Sequence, residues 1–471
     1  MKVPHDFKDR RVCIIGLGYV GLTLAVAMAE VGFEVYGVEH NPSVVSAIMG
    51  GSAHFSEFGL DVRLRAQVAT GRLKASQEWP DALSHSVYII TVGTPLSEGK
   101  VTNLTSIVAV SQRLREILSD NDLVILRSTV RIGVTRDFVK PVLDKANVKF
   151  GLAFCPERTL EGRALLELRS LPQIVGGIDE SSVLRASQLF NFLTPTTIRV
   201  RDVETAEMIK LINNTQRDLM FAFANEVASM CDATGISALE VIRAGNMGYA
   251  RASMPVPGPV GGPCLEKDAY ILAESVRLRG GEVQLTLMGR SINEALPAQT
   301  VKHVAEFLDG VLVKKIAIGG LAFKGRPETS DLRGTLAIPL IARLREKYPS
   351  AEIFGFDPAI TEGDIAALGV SYAGSPEDAF RDANCVIFQN NNANFEHLDL
   401  NALSQSMAPG AVIYDLWNQF DPETLKLAHK GRYFGLGTRM LTEHPEQEYA
   451  GKTGSGDAPD ESPDAGVAGV G

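Results

Sequence analysis

Residues 12–39 read VCIIGLGYVGLTLAVAMAEVGFEVYGVE. A strand-like run, Val12–Ile15, leads into a GxGxxG pattern and a helix-like run, Leu22–Glu30, and a second strand-like run then ends at Glu39. Read as an uncharged run alone, the stretch could be a signal peptide or a short membrane span. The glycine spacing argues against both, because it is typical of the first strand-turn-helix unit of a Rossmann fold.

Each glycine of the pattern has a separate physical purpose. Gly16 allows the tight turn, Gly18 lets backbone N–H groups approach a pyrophosphate at the helix N-terminus, and Gly21 lets helix and strand pack closely. Tyr19 and Val20 complete the turn. Glu39, which lies 23 residues after Gly16, can accept hydrogen bonds from a ribose 2′-hydroxyl. No Arg or Lys lies between positions 36 and 49 to meet a 2′-phosphate, so the pattern favours NAD over NADP.

Further strand-like runs supply polar residues at their carboxyl ends, where a doubly wound sheet binds its ligand. Val87–Val92 is followed by Gly93-Thr94-Pro95, and Leu123–Leu126 by Arg127-Ser128-Thr129. We therefore expect Thr94, Pro95, Ser128 and Thr129 near the cofactor, although ordinary helix capping is an alternative for the hydroxyl residues. A fifth run, Phe150–Phe154, opens into CPERTLEG, in which Glu157 and Glu161 could share one face or could be surface acids.

A long helix is predicted from Val203 to about Thr234, with Asp202 as its N-cap and Gly235 as its stop. Apolar and polar residues fall on opposite stripes, and Lys210 and Asn214 belong to the polar one. That stripe could line a site, face solvent or form a polar seam between subunits. Helices of this length often build dimers, so we expect a homodimer.

The stretch Gly261–Asp268, GGPCLEKD, places a thiol, an ammonium and a carboxylate within five residues. Lys267 beside Cys264 predicts a lowered thiol pKa and hence a nucleophilic thiolate, and Asp268 could orient a water or act as a base. The alternative is that Cys264 is a small buried hydrophobic residue and that the charged pair begins a solvated helix.

The C-terminal third repeats the alternation of strands and helices without a second GxGxxG. The predicted strands are residues 314–319, 352–356, 385–389 and 411–415. The fold class predicted for the whole chain is α/β, with two Rossmann-like doubly wound parallel sheets joined by a long central helix and a helical middle region. Lys324 and Arg333 could hold a second nucleotide, or this half could be pure scaffold.

Composition bounds the function further. The 471 residues suggest about three domains, and the five scattered cysteines favour a reducing, cytoplasmic location. No histidine or cysteine spacing indicates a metal. From Glu443 onward the balance is −6 out of a total of −10, so the folded part carries about −4 and offers no basic footprint for nucleic acid or an anionic membrane.

The order of these parts resembles the UDP-glucose/GDP-mannose dehydrogenase family over residues 10 to 440. The resemblance rests on GxGxxG, on the helix ETAEMIKLINNTQRDLMFAFANE, on GG-x-C-xx-KD and on the second Rossmann-like half. It implies oxidation of the C6 alcohol of a nucleotide-linked sugar to a carboxylate with two NAD, through cysteine-bound intermediates. It also implies an NAD-binding domain at 1–200, a central helical dimerisation domain with the cysteine loop at 201–300, a nucleotide-sugar-binding domain at 301–440 and a disordered acidic tail at 441–471.

The resemblance assigns roles residue by residue. Cys264 corresponds to the nucleophile, and the remaining catalytic positions are Lys210 for oxyanions, its companion Asn214, Asp268, Glu157, Glu161 and the water-holding Thr129. Lys267 joins the cofactor-binding set. The substrate-binding positions are Glu157, Arg158, Lys210, Asn214, Gly261, Phe323, Lys324, Arg333 and Arg251, the last reaching the sugar nucleotide across a dimer.

Two departures from the family pattern bear on the substrate side: Glu266, where many members have Pro, and Ser330, where an acid is common. CPERTLEG and GGPC look most like the branch that acts on UDP-N-acetylmannosamine or UDP-N-acetylglucosamine, for the supply of surface polysaccharide. UDP-glucose or GDP-mannose oxidation, a two-electron hydroxyacid-type dehydrogenase and a non-catalytic NAD-binding protein remain alternatives.

Overall fold

The computed structural model describes residues 2–438, so the predicted acidic tail at 441–471 lies outside the described residues. Two α/β units stand at the ends of this part of the chain, and helices connect them. Within residues 2–438, no helix is long and apolar enough to cross a membrane.

An eight-stranded sheet forms the core of the N-terminal unit, in the strand order β10-β9-β8-β7-β4-β1-β2-β3. Its strands, together with the separate β5–β6 hairpin, are β1 (Arg11–Ile15), β2 (Glu34–Val38), β3 (Leu73–Ser76), β4 (Val87–Ile90), β5 (Leu96–Ser97), β6 (Val101–Thr102), β7 (Leu123–Leu126), β8 (Gly151–Phe154), β9 (Gln173–Gly177) and β10 (Thr197–Arg199). Its helices are α1 (Tyr19–Val31), α2 (Pro42–Met49), α3 (Leu60–Ala69), α4 (Thr105–Arg115), α5 (Lys140–Leu143), α6 (Ala164–Ser170) and α7 (Glu180–Phe190). Separate apolar clusters cover the two faces of the sheet.

The predicted parallel arrangement holds from β3 across to β8, but β8 and β9 are antiparallel and β10 follows β9. The connection from β8 to β9 spends residues 155–163 on an irregular loop and leaves only the seven-residue helix α6. A helix of about 10 Å is too short to carry the chain back to the amino edge of the sheet. The chain therefore re-enters the sheet in the reverse direction.

Four helices connect the two units: α8 (Val203–Thr234), α9 (Ala238–Asn246), α10 (Leu265–Arg277) and α11 (Leu285–Phe307). The prediction for α8 is confirmed at both ends. Asp202 caps it by accepting a hydrogen bond from the Thr205 backbone N–H, and Gly235 ends it with φ of 73°. At 1.5 Å per residue, α8 is about 48 Å long.

A six-stranded, all-parallel sheet forms the C-terminal unit, in the order β13-β12-β11-β14-β15-β16. The strands are β11 (Lys315–Gly319), β12 (Glu352–Phe356), β13 (Ser371–Tyr372), β14 (Cys385–Phe388), β15 (Val412–Asp415) and β16 (Arg432–Gly435), and the helices are α12 (Ala337–Lys347), α13 (Glu362–Ala367), α14 (Pro376–Phe380) and α15 (Leu400–Ser404). Both sheets reverse their strand order next to the first strand, so each has the switch point at which doubly wound sheets bind ligands.

Candidate active site

The GxGxxG turn has the geometry that a dinucleotide requires. Gly16 has φ of +91°, and a Cβ on Gly21 would lie 1.9 Å from the Gly16 carbonyl oxygen. A Cβ on Gly18, the N-cap of α1, would meet no atom within 4 Å. The first and last glycines are thus required by the protein itself, whereas the middle one borders open space in front of the helix N-terminus.

Glu39 lies buried at the end of β2 and ties the turn together. Its carboxylate accepts the Leu17 backbone N–H at 2.9 Å and the Asn41 N–H at 3.1 Å. The oxygen that faces Asn41, Oε1, also lies 2.8 Å from His40 Nδ1, whereas Oε2 keeps a lone pair for a further donor. The equivalent acid of the second sheet, Asp357, accepts N–H groups from Leu321 and Ala322 and is similarly placed at the end of β12.

The helix that carries the cysteine loop is tied to the first sheet at Thr94. The ammonium of Lys267 donates to the Thr94 carbonyl at 3.1 Å, and the Thr94 hydroxyl donates to the Thr129 carbonyl at 2.5 Å. Ser128 is buried, and its hydroxyl is directed at the Ile90 carbonyl. The structure thereby brings the predicted cofactor-side residues next to the start of α10.

The glycine pair before Cys264 packs against the second unit. The Gly262 N–H donates to the Gly334 carbonyl at 2.8 Å, and a Cβ on Gly261 would lie 2.2 Å from the same carbonyl oxygen. Gly262 has φ of +95°, and its Cβ would meet the Phe323 ring at 2.5 Å. Both positions therefore need glycine because the loop contacts the C-terminal unit closely.

Cys264 stands at the N-cap of α10 and is exposed to solvent, whereas Cys13, Cys155, Cys231 and Cys385 are buried. The predicted lowering of the thiol pKa is wrong in this structure. Protein surrounds the thiol closely enough that burial raises its pKa, and Asp268 and Glu161 raise it further. Lys210 and Lys267 oppose this effect without overcoming it.

Lys210 and Asp268 lie beside the thiol and are both buried. Lys210 is 7% exposed, and its ammonium makes no hydrogen bond or ion pair with any of residues 2–438. Asp268 Oδ2 accepts Asn214 Nδ2 at 2.6 Å, but Oδ1 has no hydrogen-bond partner in the same part of the chain. Burial raises the pKa of Asp268, and Lys210 opposes the rise. An unpaired buried cation and carboxylate oxygen indicate a site built for a polar ligand.

Glu157 and Glu161 have different surroundings, although the CPERTLEG loop carries both. Glu157 is buried and forms an ion pair with Arg127 at 2.5 Å, and its other oxygen accepts the backbone N–H groups of Arg158 and Thr159. Burial opposes ionisation of Glu157, but Arg127 and these N–H groups prevail and lower its pKa. Its carboxylate is therefore occupied within the protein and holds the loop.

Glu161 is half-buried and faces the second unit. Its Oε1 accepts the Thr329 hydroxyl at 2.5 Å, and its backbone carbonyl accepts the Lys324 ammonium at 2.6 Å. Burial raises the pKa of Glu161, and it lowers the pKa of Lys324 to about 8. A raised pKa makes the Glu161 carboxylate a better proton acceptor, as a general base near the thiol needs to be.

Tyr19, predicted to bind the cofactor, contacts the same loop. Its hydroxyl donates to the Glu57 carboxylate and accepts the Gly162 N–H at 3.0 Å. The GxGxxG turn and the segment that carries Glu161 are thus hydrogen-bonded to each other. Val20, which follows Tyr19, is half-buried, and Pro95 is exposed.

Three predicted substrate residues have partners of their own. The Arg158 guanidinium donates to the Pro172 carbonyl, and Arg333 forms a paired hydrogen bond with Asp331. Arg251 is exposed and stacks on Tyr249, with no hydrogen bond to any described residue of the cysteine loop.

Sequence reasoning missed several side chains that hold the site. Arg127 and Thr329 fix the two glutamates, and Arg290 is buried behind the cysteine loop. Arg127 stands directly after a buried strand, which marks it as a residue at the ligand edge. No local pattern identifies its partner, which lies 30 residues away.

Comparison with known protein families decides the assignment. Residues 10–194 match the NAD binding domain of the UDP-glucose/GDP-mannose dehydrogenase family, residues 204–295 its central domain and residues 317–422 its UDP binding domain. The chain belongs to this family. It is therefore an oxidoreductase that uses NAD and acts on a nucleotide sugar. The open space at Gly18 and the free acceptor capacity of Glu39 fit that cofactor.

Individual relatives cover nearly the whole chain. UDP-N-acetyl-D-mannosamine dehydrogenase of Pyrococcus horikoshii is 30% identical over 412 residues, which span 86% of this chain and 94% of the relative. NDP-N-acetyl-D-galactosaminuronic acid dehydrogenase of Ralstonia nicotianae is 30% identical over 410 residues, or 84% of this chain and 94% of the relative.

Solved structures of the family share the architecture. UDP-D-ManNAc dehydrogenase from Pyrococcus horikoshii superposes with a TM-score of 0.83 at 28% identity, covering 91% of this chain and 100% of the other. UDP-glucose dehydrogenase from Pyrobaculum islandicum gives 0.81 at 26% identity, covering 92% and 99%. The fold is therefore shared by dehydrogenases with different sugar substrates.

Proposed function

We propose that the protein oxidises the C6 hydroxyl of a UDP-N-acetylhexosamine, UDP-ManNAc or UDP-GlcNAc, to the uronic acid through a thiohemiacetal and a thioester on Cys264. The observation that carries the proposal is the solvent-exposed thiol beside the unpaired, buried ammonium of Lys210. The reaction requires a thiol that can reach the aldehyde carbon and a cation that stabilises the negative charge on the substrate oxygen.

In the proposed reaction, bound NAD would supply the hydride acceptor for each of the two oxidations. The alcohol gives its hydroxyl proton to water as it becomes an aldehyde, and Lys210 stabilises the negative charge that develops on the substrate oxygen, an effect worth about 3 kcal/mol per donor in comparable sites. The thiol of Cys264 then adds to the aldehyde carbon, and its proton passes to the Asp268 carboxylate. The pKa of Asp268, which burial raises, favours this acceptance.

The thiohemiacetal loses the second hydride and becomes a thioester, with Lys210 again facing the oxygen. Water attacks the thioester carbon and Glu161 accepts a proton from that water. The C–S bond breaks, Asp268 returns its proton to the departing sulfur, and the product leaves as the carboxylate. The raised pKa of Glu161 and its distance of 2.5 Å from the Thr329 hydroxyl support this role. Thr129 is proposed to hold the water, and Asn214 to orient Asp268 through the bond of 2.6 Å.

The remaining predicted residues are proposed to bind rather than to react. Glu157 supports the loop through its ion pair with Arg127. The substrate would be held by residues from both α/β units and from the helical part between them, namely Arg158, Gly261, Phe323, Lys324, Arg333 and, across a dimer, Arg251. The cofactor would be held by Gly16, Gly18, Tyr19, Val20, Gly21, Glu39, Thr94, Pro95, Ser128, Thr129 and Lys267.

An N-acetylated hexosamine is favoured by the relatives, because curated matches named for UDP-N-acetyl-D-mannosamine and for NDP-N-acetyl-D-galactosaminuronic acid share about 30% identity with this chain. The product would supply a surface polysaccharide. UDP-glucose and GDP-mannose are the alternatives, and a panel of sugar nucleotides read by NADH absorbance distinguishes them. No NADH from any member of that panel would instead support a non-catalytic NAD-binding protein.

A homodimer is proposed because α8 exposes apolar side chains. Ile212, Met220, Phe223 and Met230 are all exposed on this helix, as are Leu285 and Met288 on α11. We propose domain limits at 1–200, 201–300 and 301–440, with the helical part at 201–300 as the dimerisation domain. We also propose that the protein is cytoplasmic.

Reaction stoichiometry tests the mechanism. We expect two NADH for each uronic acid formed, because both oxidations occur before release. We expect Cys264→Ser to lower acid formation by about 10³-fold or more, since no thioester can form, whereas Cys231→Ala, at a buried cysteine of α8, should keep both activity and stoichiometry. A ratio of one NADH would favour the hydroxyacid-type alternative, and normal acid release by Cys264→Ser would remove the thiol from the reaction.

A further inference from the structure

Four polar side chains lie buried behind the cysteine loop, two on α8 and two on α11. We call them the loop anchor: Asp218, Asn225, Arg290 and Asn293. Arg290 and Asp218 are each 1% exposed, and Asn225 and Asn293 are also buried, at 4% and 0%. Such a cluster is costly to bury unless its hydrogen bonds are directed at specific partners.

Arg290 grips the loop on both sides of the reactive segment. One nitrogen, Nη1, donates to Asp218 Oδ1 at 2.7 Å and to the Leu265 carbonyl at 3.3 Å. The other, Nη2, donates to the Val260 carbonyl at 3.1 Å. The four residues between Val260 and Leu265 are Gly-Gly-Pro-Cys, so one planar guanidinium holds the backbone before and after the thiol-bearing residue.

Asn225 holds the backbone at Gly258, two residues before Val260. Its Oδ1 accepts the Gly258 N–H at 2.8 Å, and its Nδ2 donates to the Gly258 carbonyl at 3.1 Å and to Asn293 Oδ1 at 2.9 Å. Asn293 in turn donates to Asp218 Oδ1 at 2.9 Å. The two asparagines and the ion pair therefore form one connected network.

The anchor shares a helix with the reactive groups. Lys210, Asn214 and Asp218 follow one another at intervals of four residues on α8 and therefore share one face. Asn214 donates a hydrogen bond to Asp268, which lies in the first turn of α10, directly after the cysteine loop. A single rigid helix face thus contacts the chemistry at one end and the backbone of the cysteine loop at the other.

We propose that Arg290, held by Asp218, is a positioning residue that sets the Cys264 thiol against Lys210 and Asp268. This inference rests on the proposed function of Cys264 as the group that captures the aldehyde. A buried ion pair adds little net stability compared with apolar residues of the same size. The two Nη groups of Arg290, in contrast, donate to the Leu265 and Val260 carbonyls and so determine where these two carbonyls lie.

The test uses Arg290→Lys, which keeps the charge for Asp218 but cannot hold both carbonyls. We expect kcat to fall by about 10- to 100-fold with KM changed by less than about threefold, since small misplacements of a reacting group have effects of this size. We also expect the sugar aldehyde, trapped with hydroxylamine, to escape between the two oxidations. The pH profile of Cys264 alkylation by iodoacetamide should shift relative to that of the unchanged protein.

Arg185→Lys is the matched control. Arg185 forms a comparable two-point pair with Asp9 at 2.9 and 2.6 Å, but it lies in the N-terminal unit away from the loop. A folded Arg290→Lys protein with no aldehyde escape and an unshifted alkylation profile would overturn the proposal. Equal effects of the two substitutions, in proportion to their losses of thermal stability, would overturn it as well.

Asn225→Ala serves if Arg290→Lys fails to fold, because it removes the contacts to Gly258 without leaving a buried charge. It should show the same alkylation shift and aldehyde escape in smaller measure, and their absence would count against the anchor. Alkylation needs no substrate, and Cys264 is the exposed cysteine of the five. The anchor can therefore be tested even if no sugar nucleotide in the panel yields NADH.

Discussion

Lys210 shows how a residue identified in sequence acquires its meaning from its surroundings. The helix pattern placed it on a polar stripe, and the structure adds that its ammonium is buried without a hydrogen bond or ion pair among residues 2–438. The sequence also led us to expect a lowered pKa for Cys264. That expectation counted the adjacent lysine and omitted burial and two carboxylates, which no local pattern reveals.

The opposing charges around Cys264 predict an order of thiol pKa values. Lys210 lowers the pKa of the thiol, so Lys210→Met should raise it above that of the unchanged protein. Asp268 raises the pKa, so Asp268→Asn should lower it. The pH at which the alkylation rate reaches half its maximum should therefore rise from Asp268→Asn to the unchanged protein to Lys210→Met.

Alkylation with iodoacetamide between pH 6 and 10 measures these midpoints directly, because the thiolate is the reacting form. The midpoint of the unchanged protein should lie above the ordinary thiol value of about 8.5. A protein that is fully reactive at pH 6 would contradict the raised pKa, and the reverse order of the two variants would contradict the assigned electrostatics.

Two residues of the loop illustrate the limit of prediction at this scale. Glu157 and Glu161 are four residues apart, and sequence alone treats them alike. Glu157 forms an ion pair with Arg127, which lies 30 residues away in the chain, and Glu161 accepts a hydrogen bond from Thr329, which lies 168 residues away. Only the folded chain separates the supporting carboxylate from the one open to chemistry.

At the scale of elements, the glycines of the first turn give a sharp prediction. Gly18→Ala adds a methyl group to open space, so the free energy of unfolding should change by less than about 0.5 kcal/mol. The same methyl group would occupy the space in front of the α1 N-terminus where a pyrophosphate binds. We expect Kd for NAD to rise by about tenfold or more.

Gly21→Ala is the matched comparison, since its Cβ would overlap the Gly16 carbonyl. It should lower the free energy of unfolding by about 1–3 kcal/mol, as overpacking does. Chemical denaturation and calorimetric titration with NAD measure the two quantities. Unchanged NAD affinity in Gly18→Ala would place the pyrophosphate elsewhere.

Elements with clear end signals were predictable, and short edge elements were not. Asp202 and Gly235 mark the ends of α8, and both act as predicted. Strands β9 and β10 escaped prediction because β10 has three residues and the reversal at β9 depends on the space taken by the CPERTLEG loop. Direction within a sheet is a tertiary property that hydropathy does not encode.

At the scale of the whole molecule, the surface of α8 predicts the assembly. Polar side chains of α8 such as Glu207 and Asp218 are buried, whereas several of its apolar side chains are exposed, with Phe223 at 52%. Contiguous exposed apolar surface on a soluble protein marks an interaction site, and a twofold contact would bring the same stripe of a second copy against it.

Phe223→Glu should therefore produce monomers, because a twofold contact would bury two negative charges that repel each other. We expect the dimer Kd to rise by at least about 100-fold, measured by analytical ultracentrifugation or light scattering. Val62→Glu, on the exposed side of α3, is the control and should leave the mass unchanged. A monomeric unchanged protein would refute the proposed dimer.

The division into two sheets and a helical middle was readable from strand spacing, but the contact between the parts was not. Gly262 is needed because the Phe323 ring lies against it, across 61 residues of chain. Both glycines of the pair look from sequence like features of a flexible turn. In the folded protein they are the places where the helical middle region contacts the C-terminal unit, at Gly334 and Phe323.

That contact bears on how the enzyme can carry out two oxidations without releasing the half-oxidised sugar. On the proposed route, NADH would be exchanged for NAD while the sugar is still covalently bound to Cys264. Gly261 and Gly262 contact the segment between β11 and α12, at Gly334 and Phe323, rather than the GxGxxG turn. Exchange of the cofactor would then leave in place the contacts that hold the loop of the covalent intermediate against the C-terminal unit.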